Sequence, residues 1–114
     1  MENVIYNELR MRGFNVDVGN LTITEKGKDA RPVKKQLEVD FICNKGSRRY
    51  YIQSAYSLGT AEKMAQEIRP FLKISDSFKK IVITSDTPKP VYNDDGILIM
   101  NVYDFLLNAN SMDL

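Results

Sequence analysis

The 114 residues contain no histidine, no tryptophan and a single cysteine. Without histidine the chain cannot by itself build a Ser-His-Asp triad, a Cys-His pair or a histidine-ligated metal site. The lone Cys43 excludes an internal disulfide and a structural zinc site. It fits a reducing compartment, so the expected location is the cytoplasm. Any metal held by this chain must be bound through oxygen, which means magnesium, manganese or calcium. Long apolar runs are missing too. Ile97-Leu98-Ile99-Met100 is far shorter than the ~20 residues that cross a bilayer, so no membrane partner is expected. No basic segment followed by an apolar stretch opens the chain as a secretory leader would. A net charge of +1 with 43% hydrophobic and 27% charged residues excludes a disordered or collagen-like chain. The length supports one domain.

What is present reads as alternating helix and strand. Residues 2–12 carry Val4, Ile5, Leu9 and Met11 at near-helical spacing, with Gly13 as a stop. The helix begins almost at the first residue, which points to an excised piece of a longer protein. Residues 14–25 alternate through Phe14, Val16 and Val18, then Leu21 and Ile23 after Gly19-Asn20, so a strand bulged at the glycine is expected. Lys26 to Pro32 is a turn, residues 33–43 a second strand, Asn44 to Ser47 a tight turn and residues 48–55 a third strand. These three should form an antiparallel meander. Thr60 caps a helix running to about Ile74, within which Pro70 should kink or shorten it. Residues 79–84 and 96–102 are strands, the intervening proline-containing segment is a loop, and 104–107 is a short helix. Residues 1–108 thus form one α/β domain of order αβββαββα, a mixed sheet opened by the meander and flanked by helices. Residues 109–114 read as a flexible tail.

One constellation carries chemistry. Glu38 and Asp40 fall two apart on the second strand and so share a face, with Leu37, Val39 and Phe41 on the other. Gln53 and Ala55 share a face of the third strand, and a hairpin joining the two strands brings Asp40 near Gln53. Glu2 stands at the start of the first helix. Simpler roles exist for each residue. The strand acids can be a solvated face, Glu2 can complement the helix dipole, Gln53 can be a satisfied polar group in the sheet, and Cys43 is a small buried hydrophobe with no base beside it.

In this order and spacing, the stretches 2–13, 37–42, 51–54, 96–100 and 104–107 resemble the restriction-endonuclease-like PD-(D/E)XK fold. More closely, they resemble the C-terminal domain of unknown function found in prokaryotic AAA-type ATPases. The resemblance implies a magnesium or manganese site in which Glu2 and Asp40 are the first two acids and a Glu-X-Lys follows on the third strand. Here Gln53 stands in the place of that glutamate and Ala55 in the place of the lysine. Glu38 could restore the missing charge and Lys63 the missing ammonium, but each needs its own coincidence of geometry. The resemblance, with those two departures, implies a degenerate, non-catalytic module of an ATPase that needs no cofactor and contacts an upstream ATPase domain, another protomer or DNA. The alternatives are an active Mg/Mn-dependent DNA nuclease using Asp40, Glu38 and Gln53, and a salt-sensitive nucleic-acid-binding module.

For that last alternative the sequence offers a basic cluster. Between residues 26 and 49 lie Lys26, Lys28, Arg31, Lys34, Lys35, Lys45, Arg48 and Arg49 against Asp29, Glu38 and Asp40. Lys34, Lys35, Arg48 and Arg49 are the candidate contacts to nucleic acid or a partner, with Tyr50 or Tyr51 stacking beside them. The plainer role is a solvated hairpin whose lysines blunt an edge strand. No glycine-rich phosphate loop occurs, so the chain carries no ATPase site of its own.

Overall fold

The computed structural model describes residues 1–29, 31–57 and 59–114. Its elements are α1 (Glu2–Met11), β1 (Asn15–Lys26), β2 (Pro32–Lys45), β3 (Arg48–Ala55), α2 (Ala61–Leu72), β4 (Lys79–Thr84), β5 (Val91–Tyr92), β6 (Leu98–Asn101) and α3 (Val102–Leu107), followed by a 310 turn at Ser111–Asp113. One six-stranded mixed sheet has the order β1-β2-β3-β4-β6-β5. The meander β1-β2-β3 is antiparallel, β3, β4 and β6 run parallel, and β5 returns antiparallel on β6. Ala30, in the turn expected between the first two strands, lies outside the described residues.

Two apolar clusters cover the two faces of the sheet. On one, Ile5 and Leu9 of α1 and Phe105 of α3 pack with Phe41, Cys43, Tyr50 and Ile52. On the other, Phe71 of α2 packs with Val39, Ile42, Tyr51, Ala55 and Val82. Ile81, Val82 and Ile83 are fully buried, as expected of a parallel strand covered on both faces. Gly13 ends α1 at φ 89, a conformation that an L side chain rarely adopts. Lys63 N–H donates to Thr60 Oγ1 at 3.1 Å and caps α2. Pro70 sits in the last turn of that helix, where it removes the one N–H that would bond to the Gln66 carbonyl, and the helix stops two residues later.

Four expectations are corrected. The bulge lies on β2, not at Gly19. Asp17 pairs with Ile42 and Gly19 with Val39, so Asp40 and Phe41 together oppose Val18 alone. The strict alternation of Leu37, Val39 and Phe41 is thereby broken, and Val39 and Phe41 belong to opposite clusters. The segment before β6 is not all loop, because Val91 and Tyr92 add an edge strand. The chain end is not frayed: Ser111 and Met112 are buried, and Tyr50 donates its hydroxyl proton to Asp113 at 2.5 Å. Neither adjacent tyrosine is free to stack on a base. Tyr50 is 5% and Tyr51 2% exposed, on opposite faces, and Tyr51 donates to Asp76 at 2.5 Å.

Candidate functional site

The main-chain ladder between β2 and β3 runs from Lys45↔Arg48 to Phe41↔Ile52 and ends there. Beyond it the strands fork, because the bulge at Asp40 turns β2 away. Side chains bridge the gap. Asp40 N–H donates to Gln53 Oε1 at 2.7 Å, and Ser54 N–H donates to Asp40 Oδ2 at 2.7 Å. The Gln53 amide also reaches α2, donating to the Glu67 carbonyl at 3.4 Å. Gln53 is 7% exposed, so these bonds satisfy a buried amide that would otherwise be costly to bury.

The fork is electrostatically acidic. Burial raises the Asp40 carboxyl above its ordinary range, the Ser54 N–H partly offsets this, and the charge of Glu2 raises it further. Burial likewise raises Glu67, the charge of Asp40 adds to that, and Lys63 opposes it. Glu2, Asp40 and Glu67 therefore share one field, with Lys63 at its rim. Glu67 is the residue that sequence reasoning missed. Its only trace in the sequence is the Lys63…Glu67 spacing on one helix face, which is common on any solvated helix. Glu38 is exposed on β2 opposite Asn20. Ala55 is 4% exposed in the apolar cluster under α2. Among the described residues, no three acidic or thiol groups are gathered so as to hold one metal ion. Cys43 is fully buried, and burial pushes its thiol up to about 12, which makes it unreactive.

The basic candidates do not meet. Lys34 is exposed opposite Thr24 on β1. Lys35, its neighbour on the other face, pairs with Glu25 at 2.9 Å, and Glu25 also holds Lys73, the residue that follows α2. Arg48 lies 3.8 Å from Asp113. Arg49 donates to Asn44 Oδ1 at 2.8 Å and stacks over Phe78. At a rise of ~3.3 Å per residue, Lys34 is roughly 35 Å from the far end of β2, where Arg48 and Arg49 of β3 pair with Lys45 and Asn44. Near the Arg48 end a cavity of about 260 Å³ is lined by Arg12, Lys45, Tyr50 and Asp113 among others. There the Arg12 guanidinium is already engaged by Glu8, Ser111 and the carbonyls of Phe105 and Asn108.

Comparison with models of protein families finds no match. An uncharacterised protein of Haemophilus influenzae is 34% identical over 107 residues, 94% of this chain and 22% of that protein. The chain thus spans about a fifth of the length of the curated relative it matches. Among solved structures, a crystal structure of a protein of unknown function aligns with a TM-score of 0.48 and 16% identity, over 74% of this chain and 45% of that one. Among the described residues, no helix is long and apolar enough to cross a membrane.

Proposed function

We propose that this chain is a non-catalytic, restriction-endonuclease-like module of an AAA-type ATPase, whose work is contact with nucleic acid or with the rest of a longer protein. The observation that carries the proposal is the use made of the fork. The Gln53 oxygen, which stands where a second carboxylate would ligate a metal, already accepts from the Asp40 main chain. The methyl group of Ala55, where a lysine would be needed, is packed in the core. This donor set fits a divalent cation poorly, because magnesium relies on carboxylates and water. One anion has been replaced by a neutral amide whose oxygen already accepts one main-chain hydrogen bond. The nuclease-like groups hold two diverging strands together instead. The relative's greater length leaves room for an ATPase domain elsewhere in such a protein.

The test is direct. The purified chain with magnesium or manganese should leave plasmid and single-stranded DNA intact, and calorimetric titration with manganese should show no binding that Asp40→Asn removes. Metal-dependent cleavage lost in Asp40→Ala would overturn the proposal.

The shared field of Asp40 and Glu67 favours a second reading, an active metal-dependent DNA nuclease. In it Glu67 supplies the second carboxylate from α2 and Lys63 the ammonium. It predicts that Glu67→Gln and Lys63→Ala each abolish a cleavage activity that the wild-type chain must first display.

A further inference from the structure

We infer that the β1–β2 ribbon is a DNA-reading arm that enters the major groove of duplex DNA. The inference rests on the reading of the chain as a contact module and names the partner. β3 pairs with β2 only from Phe41 to Lys45. From Asn20↔Glu38 to Lys26↔Pro32, β1 and β2 pair only with each other. At ~3.3 Å per residue this two-stranded ribbon projects roughly 20 Å.

Its two faces differ in kind. One carries Leu21, packed against the α2 cluster, and Glu25, which is clamped between Lys35 and Lys73. That face fixes the direction of the arm. The other presents Thr22, Thr24, Lys26, Lys34 and Gln36, all exposed, with Gln36 Nε2 donating to Thr22 Oγ1 at 3.1 Å across the strands. Its one apolar side chain within the ribbon is Pro32 opposite Lys26, and its one acid is Glu38 at the base opposite Asn20, so it lacks the aromatic and large aliphatic anchors on which protein partners usually dock. Lys26, Lys28 and Lys34 enter no ion pair among the described residues.

The B-DNA major groove is about 12 Å wide and admits a two-stranded ribbon, and glutamine, lysine and threonine are side chains that read base edges there. The major groove of A-form RNA is too narrow for such an arm, which makes DNA the partner. Thr22, Thr24, Lys34 and Gln36 face the bases, and Lys26 and Lys28 lie along the phosphates.

Fluorescence anisotropy with a labelled mixed-sequence DNA duplex tests this. With three lysines in the DNA field, affinity should fall roughly 40-fold between about 50 and 200 mM salt. The triple variant K26E/K28E/K34E should bind at least tenfold more weakly, with a flattened salt slope. Lys34→Gln, a milder change that keeps the strand intact, should lower the slope by about one. Lys89→Glu alters the net charge away from the arm, in a loop where the residue is exposed, and should leave binding unchanged. Guanine N7, which lines the major groove, should be protected from dimethyl sulfate by the wild-type chain. Binding that ignores salt or the arm variants, or full methylation of N7 in the complex, would overturn the inference. So would sedimentation showing an arm-dependent dimer in place of DNA binding. Failure here leaves the manganese titration of the Asp40 site standing, and cleavage at that site would leave the arm experiment standing.

Discussion

Asp40 is held where its charge is unwelcome. Burial and Glu2 raise its carboxyl, so the folded chain binds that proton more tightly than the unfolded chain does. By linkage, the group has no effect on stability below its ordinary pKa. Stability then falls as pH rises from there to the raised value, and stays lower above it. Glu67, also raised, acts in the same direction. Asp40→Asn keeps an oxygen to accept the Ser54 N–H and removes the charge. Its urea midpoint should therefore exceed that of the wild-type chain at neutral pH, with the gap closing towards about pH 3, where the carboxyl is protonated in both states. Asp40→Ala should be less stable by about 1–3 kcal/mol at either pH, since it leaves the Ser54 N–H without its acceptor. A midpoint difference for Asp40→Asn that does not change with pH would show that the carboxylate is comfortable in the fork.

At the scale of elements, the bulge on β2 decides where Asp40 goes, and Gly19 makes room for it. A Cβ at Gly19 would lie 2.1 Å from Val39 Cγ2 and 2.8 Å from the Val39 carbonyl oxygen. The second of these is backbone and cannot swing aside. Gly19→Ala should cost about 1–3 kcal/mol through overpacking and should disturb the β1–β2 register. The urea midpoint measures the first effect and the amide resonances of Ser54 and Gln53 report the second, while an unchanged midpoint would mean that the strand simply slides. The sequence showed the glycine but not which strand carries the extra residue. Leu37, Val39 and Phe41 alternate without a break, and only pairing with β1 reveals the irregularity. The α/β order, the antiparallel meander and the helix between the third and fourth strands were legible, because alternation, turn residues and the capping Thr60 each act locally. β5 was not legible, because two residues between Pro90 and Asn93 leave no pattern to read. Nor was the place of Met112, a single apolar residue whose burial depends on α1 and α3. Asp40 and Gln53 meet because one hairpin joins their strands. Glu67 joins them only through the seating of α2 across the sheet, which is a long-range property that no spacing encodes.

For the whole molecule, shape separates the part that folds from the part that reaches. A compact chain of this length has a radius of gyration of about 13 Å, whereas this one has 14.6 Å, with extents of 49 × 34 × 22 Å. The excess is the ribbon. Neither buried core cluster includes a side chain from residues 22–36, and Leu21 is the last β1 side chain packed against them. An isolated two-stranded ribbon is marginal in water, so the arm persists because Leu21 at its base packs against the α2 cluster and Glu25 near its tip is held by Lys73, just past the end of α2. Replacing residues 24–34 with Asn-Gly, a sequence suited to a two-residue hairpin turn, should therefore leave a cooperatively folding core. Small-angle scattering should give a radius close to the compact value, and the fork at Asp40 should keep its bonds. The same chain should lose its salt-dependent hold on duplex DNA. If the shortened chain fails to fold, the ribbon is structural and its lysines serve only to protect a free edge. If it folds and still binds DNA as before, the contact lies at the distant Arg48 end of the sheet.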